Sequence, residues 1–260
     1  MMSYVINKRQ VVEVRATGRS IRCPTRQGAL PCTLMTITID CLGMLGRLIT
    51  SAGREFPLPR VSQQQKELNR KRIVTAASQG FKARGIDGMG IDELMKSAGM
   101  THGGFYNHFA SKEDLALEVL NQGFTASLGT VDALIGAHPR SSRAALNAII
   151  DSYLSTYHRD HPEDGCASAA LAADAGRHGI QAQEEYRRGL QGYIAAITDL
   201  LRDSARQNNT KLDPRRAREQ AIALFSQLVG AQLIGRAIAQ ADPELSDEIL
   251  ISNSKELKRR

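Results

Sequence analysis

Between Asn69 and Lys112 the chain sets short helical stretches one after another across glycine turns, and that order leaves few folds open. A first helix over about 64–84 puts Ile73, Val74, Ala77 and Phe81 on one face at helical spacing, and Gly85 ends it. After a short loop, a second helix from Ile91 to about Ser97 buries Ile91, Leu94 and Met95. Ala98-Gly99-Met100 turns the chain into a third short helix, with Thr101 as its N-cap and Phe105 and Phe109 inside. Ser111 then caps a longer helix, whose first turn holds Glu113 and Asp114 where the helix dipole favours acids.

The third stretch, Thr101-His102-Gly103-Gly104-Phe105-Tyr106-Asn107-His108-Phe109, has the chemistry of a surface laid into DNA. Each of two adjacent glycines costs about 1 kcal/mol of helix stability relative to alanine. Lacking Cβ atoms, Gly103 and Gly104 let the backbone approach a sugar-phosphate wall or admit a thymine methyl. Thr101 and the open N–H groups of the first turn suit a phosphate, as does the Tyr106 hydroxyl. His102 and Asn107 are placed for base edges, and Asn pairs bidentately with adenine. Lys112 supplies charge at the backbone. Taken singly, each residue has a plainer reading: a loop glycine, a packed tyrosine, a solvated lysine. Their joint order makes the plain reading a poor one.

Charge and cysteines divide the chain in two. Residues 1–60 hold nine Lys/Arg against three Asp/Glu, a net of +6; the other 200 hold 25 against 24, a net of +1. The basic balance therefore belongs mostly to the first segment. Beyond it the bases that matter are Lys66, Arg70, Lys71, Arg72, Lys82, Arg84, Lys96 and Lys112, all near the helical turns. Cys23, Cys32 and Cys41 lie in the first segment and Cys166 beyond; their spacing matches no compact zinc module, so neither a metal site nor a cofactor is expected.

Residues 1–60 carry half the chain's prolines and two strand-like runs, Val11–Val14 and Met35–Ile39, and are expected to form a poorly ordered basic extension. The abrupt change of composition before Val61 also fits translated upstream sequence, which an intact natural peptide over Ser20–Arg47 would refute. The other reading is a basic arm for the DNA minor groove. Residues 61–111 make the helix-turn-helix unit and 112–260 a second, helical unit. That unit is expected as helices over Arg143–His158, Cys166–Arg177, Ile180–Gln207, Pro214 to about Gln240, and about Pro243–Leu257. Asp213-Pro214 supplies an N-cap and a first-turn proline. The fold class is all-α. No apolar run approaches the ~20 residues of a spanning helix, so a soluble, cytoplasmic protein with no membrane partner is expected.

Residues Lys66–Phe124 resemble the DNA-binding domain of the tetracycline-repressor (TetR/AcrR) family. The match rests on Arg72-Ile73, Ala76-Ala77, Phe81, Gly85, Ile91, Leu94, Ala98-Gly99-Met100-Thr101, Gly103, Phe105-Tyr106, His108-Phe109, Ser111-Lys112-Glu113 and Leu115. Gly90 stands where the family commonly has Ser or Thr capping the second helix, leaving its backbone N–H for a phosphate; His102 stands where a lysine is frequent. The resemblance implies a homodimer on a near-palindromic DNA operator, a C-terminal domain of about six helices that binds a small molecule, and a dimer interface from the last two helices. The double-faced apolarity of Pro214–Gln240 fits that interface independently. The expected function is a transcriptional regulator, most simply a repressor released by a small-molecule inducer.

Side chains that place polarity within apolar helices are the candidates for the ligand: Tyr153, Tyr157, Cys166, His178, Tyr186, Gln191 and Tyr193. An alternative is a sensor of oxidants or electrophiles acting through Cys166. The competing class is a helical enzyme. His158-Arg159-Asp160-His161 reads as a loop, and no nucleophile elbow, phosphate loop or dinucleotide fingerprint is present, so no active site is recognisable and an enzyme is not expected.

Overall fold

A computed structural model describes residues 63–259 in full, and the backbone of five short strands before them. The chain divides into two units, Met1–Lys66 and Glu67–Arg260. In the first, β1 (Val5–Asn7), β2 (Val11–Ala16) and β3 (Arg19–Pro24) form an antiparallel sheet in that order, and β4 (Arg47–Ile49) pairs antiparallel with β5 (Glu55–Pro57). The expected strand at Val11–Val14 falls within β2, in register with β3 from Val11↔Pro24 to Ala16↔Arg19. The run Met35–Ile39 lies outside the described residues, as does most of the segment expected to be poorly ordered.

The second unit is all-α. Its order is α1 (Gln63–Arg84, which begins just before the division), α2 (Ile91–Ser97), a 3-10 turn (His102–Asn107), α3 (Lys112–Ala137), α4 (Ser142–Tyr153), α5 (Thr156–Asp160), α6 (Ala167–Arg177), α7 (Gly179–Gln207), α8 (Pro214–Ile238) and α9 (Pro243–Arg259). Gly85 and Gly99 take φ of +80° and +72° at the turns after α1 and α2, a conformation that any Cβ would strain. Ser111 caps α3 by accepting from the Asp114 N–H at 3.0 Å, and Asp213 caps α8 by accepting from the N–H groups of Arg215 and Arg216.

Two expected elements differ. The helix over Arg143–His158 is broken: α4 ends at Tyr153, Leu154 closes it, and Ser155 starts α5 by accepting from the His158 N–H at 3.1 Å. A serine offering a local cap competes with helix continuation, which the apolar periodicity of the segment conceals. The third helix of the head is a 3-10 turn, in which the Gly104 N–H donates to Thr101 O and the His108 N–H to Phe105 O. Two successive glycines remove the propensity that would sustain an α-helix.

The body packs around α7, which touches α3, α4, α6 and α8, while α9 lies on α8. The approach of α3 to α7 depends on Gly189, where a Cβ would fall inside the Phe124 ring. One apolar cluster runs from Ile73 in the head to Leu257 in the last helix. By length and composition α8 could cross a membrane, with a mean hydropathy of 1.4 in its most apolar window, although no such run was expected from the sequence. Only 39% of that window is buried within the chain.

Candidate nucleic-acid interface and effector cavity

The head is built on an aromatic wedge. Phe105 and Phe109 are buried, with ring centroids 5.8 Å apart, and they hold the 3-10 turn against α1 and α2. The polar members of the same turn are left outside: Thr101, His102, Gly103 and Asn107 are exposed, and Tyr106 is 61% exposed with its ring edge-on to Phe105. A Cβ on Gly103 would meet nothing, and one on Gly104 would only touch Met95 Cε at 3.5 Å. The exposed edge is thus bare backbone. Thr101 and Gly90 occupy N-cap positions without a side-chain cap bond. Lys112 is half-buried, its Nζ 5.8 Å from the centre of the Phe81 ring. His102 Nδ1 lies 2.5 Å from Asp92 Oδ1, which joins the turn to α2.

Arg70 fixes the turn from behind. Its guanidinium donates to His108 O and to the Glu118 carboxylate, and Cζ lies 4.0 Å from the centre of the Phe109 ring. Arg70 is thus engaged by partners within the chain although its side chain is partly exposed.

The body contains a cavity of about 280 Å3 bounded by α3, α4, α5, α7 and the loop before α6. Apolar walls come from Val131, Leu134 and Ile149, and hydroxyls from Ser127, Thr130, Ser152 and Ser155. Of the ligand candidates, Tyr153, Tyr157, Cys166 and Tyr193 line it. The other three stand elsewhere. Tyr186 donates to Ser168 O at 3.0 Å and packs edge-on to Phe124; Gln191 is exposed and accepts from Arg187; His178 faces Asp87 at 3.4 Å.

Polar groups at the cavity floor are paired. Cys166 Sγ lies 2.8 Å from Ser168 Oγ and 3.1 Å from the Tyr193 hydroxyl, and the Tyr153 hydroxyl lies 3.1 Å from the same serine. Burial raises the pKa of Tyr153 and Tyr193 far above the ordinary phenol value, and pushes Tyr186 up to about 12. These groups act as neutral hydroxyls. His158 Nε2 accepts from the Cys166 N–H at 2.9 Å, so Nδ1 carries the proton and donates to Tyr153 O at 2.7 Å. Burial, helped by Arg236 and Lys82, holds its pKa below the usual imidazole value.

Sequence reasoning missed His158, Asp164 and Gly165 as cavity residues. The available signal was Pro162-Glu163-Asp164-Gly165, a break that has to lie beside whatever the flanking helices enclose. Nearby, His161, Glu163 and Asp164 bring possible ligand atoms within 4.8 Å of one another. His161 and Asp164 are exposed, His161 Nδ1 is 3.2 Å from Glu163 Oε1, and Asp164 accepts from the Tyr157 hydroxyl. The group is accounted for by these contacts.

Two short helical segments set across a glycine turn, with buried aromatics behind and naked backbone in front, define a DNA-binding regulator of the helix-turn-helix class. Residues 73–119 match the family described as bacterial regulatory proteins, tetR family. The HTH-type transcriptional repressor NemR of Escherichia coli (strain K12) is 24% identical over 174 residues, 67% of this chain and 87% of NemR. The crystal structure of E. coli NemR in its reduced form aligns over 74% of this chain and 95% of its own, with 25% identity and a TM-score of 0.61. A further structure of this fold, FadR of Bacillus subtilis in complex with stearoyl-CoA, is 18% identical over 73% of this chain and 95% of its own, with a TM-score of 0.55. The chain is thus similar to TetR-family transcriptional regulators, in sequence over residues 73–119 and in fold over about three quarters of its length.

Proposed function

We propose that the protein is a repressor that binds a near-palindromic operator as a homodimer and is released when a small molecule occupies the cavity between α3, α4 and α7. The observation that carries this reading is the bare edge at Gly103 and Gly104, held outward by the buried Phe105 and Phe109. In it, Gly90, Thr101, Tyr106 and Lys112 position the phosphate backbone, while His102 and Asn107 meet base edges. NemR, named a transcriptional repressor, and FadR, solved with stearoyl-CoA bound, support the repressor and effector parts.

A second copy accounts for the apolar surface of the last two helices. Ile222, Leu233 and Ile234 on α8 and Leu245 and Ile251 on α9 are large apolar side chains left exposed in the single chain. An interface over both helices is isologous, and it sets two heads for half-sites about one DNA turn apart. It also explains the apolar α8 without a membrane, in keeping with a soluble, cytoplasmic protein. Residues 1–60 act as a separate basic extension to this 61–111 head and 112–260 body.

An effector that favours one head-to-head arrangement by about 2–3 kcal/mol changes operator affinity roughly a hundredfold. Enrichment of duplexes from a random library, followed by gel shift with competitor and light scattering of the free protein, tests the reading. A selected near-palindrome bound by two copies is expected. Equal binding to all duplexes, or a monomer that binds as tightly as the native protein, refutes it.

Thiol sensing is the second reading, because Cys166 both lines the cavity and holds two hydroxyl partners. An unchanged response of Cys166→Ser to oxidants would end it.

A further inference from the structure

The cavity and the DNA-reading head share a wall. Asp164 and Gly165 line the 280 Å3 cavity, and together with Glu163 they also line a second cavity of about 330 Å3 between α1 and α3. The far side of that second cavity is α1 itself: Val74, Thr75, Ser78, Gln79 and Lys82. Across it the Lys82 ammonium donates to Gly165 O at 3.2 Å. We propose that Lys82 is the positioning residue that carries the state of the effector cavity to the head, by reading where the Pro162–Cys166 loop stands.

The loop is held from the cavity side by two bonds that an occupant would contest. The Tyr157 hydroxyl donates to Asp164 Oδ2 at 3.0 Å, and the Cys166 N–H donates to His158 Nε2 at 2.9 Å. Within the loop, the Gly165 N–H donates to Pro162 O and the Asp164 N–H to His161 O, so the turn moves as a piece. A ligand group that takes either outer bond shifts the Gly165 carbonyl. Gly165 has little room of its own, since a Cβ there would sit 2.7 Å from His158 Cδ2. Movement at His158 or Asp164 is therefore passed on.

On the head side, Lys82 responds to small displacements. Its ammonium is half-buried, and desolvation lowers its pKa against the opposing pull of Asp164, Cys166 and Glu163. A buried donor that loses its acceptor is left with its desolvation cost uncompensated. One turn further on, the same part of the chain is pinned to the body: Asp174 Oδ1 accepts from the Ile86 N–H at 3.1 Å, beside the positive-φ Gly85. That pin supplies a pivot, and Lys82 sits one helical turn away from it. Loop displacement is thereby converted into a tilt of α1 and of the wedge that carries the 3-10 turn. Ser127 and Thr130 of α3 border both cavities as well, on the helix that joins head and body covalently, while the bond from Lys82 is what ties α1 to the loop.

This inference rests on the reading of Thr101–Lys112 as the DNA surface. Coupling between two sites is reciprocal, so DNA must tighten the loop if the loop governs DNA binding. Cys166 is the reporter: the residue is 7% exposed and its N–H is part of the loop's anchoring. The experiment alkylates the full chain with iodoacetamide, with and without a library-selected duplex, and follows the Cys166 peptide by mass spectrometry. In the native protein, bound duplex should slow alkylation about tenfold, within the usual ~5–150-fold range of coupling. In Lys82→Met the duplex should alter the rate by less than about twofold, and Lys82→Arg should restore the protection; a merely structural lysine would not separate the two variants in this way.

Full DNA-dependent protection in Lys82→Met overturns the proposal, as does native protein that binds the duplex with no change at Cys166. Should Lys82→Met fail to fold, amide exchange at Gly165 and Cys166 in the native protein decides: unchanged exchange on DNA binding overturns it, and slowed exchange supports it. Failure of native protein to bind any selected duplex strikes the DNA reading instead.

Discussion

Replacing Arg70 by methionine tests how the head is held. The side chain makes three contacts: hydrogen bonds to His108 O and the Glu118 carboxylate, and a stacked position 4.0 Å from the Phe109 ring centre. The Arg70 side chain is 42% exposed and that of Glu118 24%, so solvent screens the ion pair and it is worth only about 0.5 kcal/mol. The bond to the carbonyl adds about 1 kcal/mol and the ring contact about 0.5 kcal/mol. The total, about 2 kcal/mol, corresponds to a melting temperature about 4–8 °C lower for a unit of this size. Methionine keeps much of the stem's packing, so the loss reports the polar contacts. The 3-10 turn also loses the anchor of its C-terminal end, and duplex binding should weaken for all sequences. The slope of log affinity against log salt should nevertheless stay unchanged, because the Arg70 charge is already engaged by His108 O and the Glu118 carboxylate. Calorimetry and a salt series of binding isotherms provide both readouts. A melting temperature within 1 °C of native, or a salt slope reduced by about one unit, refutes this account and makes Arg70 a phosphate contact.

Other consequences are equally direct. Gly189→Ala places a methyl inside the Phe124 ring and should destabilise the body by about 1–3 kcal/mol, read from a denaturant midpoint. Asn107→Ala should relax preference at one base pair by about 1–3 kcal/mol in a competition assay, whereas Tyr106→Phe should weaken binding across sequences. Because burial depresses the His158 pKa below its ordinary 6.5, its contribution to stability is complete above that value and is lost as pH falls from there through the folded-state value. Urea midpoints of native protein and His158→Gln should therefore converge on acidification below pH ~6.5, and parallel curves would count against a buried, neutral His158. Ile234→Asp, at a side chain 56% exposed in the single chain, should yield monomers by light scattering while leaving helix content intact.

The sequence by itself determined the helical class, most element boundaries and the wedge. Ile73, Val74, Ala77 and Phe81 recur at helical spacing, Gly85 and Gly99 stop their helices, and Ser111 and Asp213 start theirs, all through bonds between residues close in the chain. Where local terms compete, the sequence was less decisive. The break at Leu154–Ser155 and the 3-10 form of the third head helix each turn on a cap or a glycine pair outweighing apolar periodicity.

Tertiary structure alone decided which polar groups are free and which are engaged. Arg70 and Lys82 look alike as bases near a DNA surface, yet one is bound to His108 and Glu118 and the other reaches the Gly165 carbonyl, 83 residues away. The cavity was likewise invisible, because its walls come from five separate stretches between Ser127 and Tyr193. Of seven side chains chosen for polarity within apolar helices, Tyr153, Tyr157, Cys166 and Tyr193 face it; His178, Tyr186 and Gln191 do not. Periodicity reports that a face is buried, but the partner it is buried against, and any gap left between them, depends on how distant helices cross.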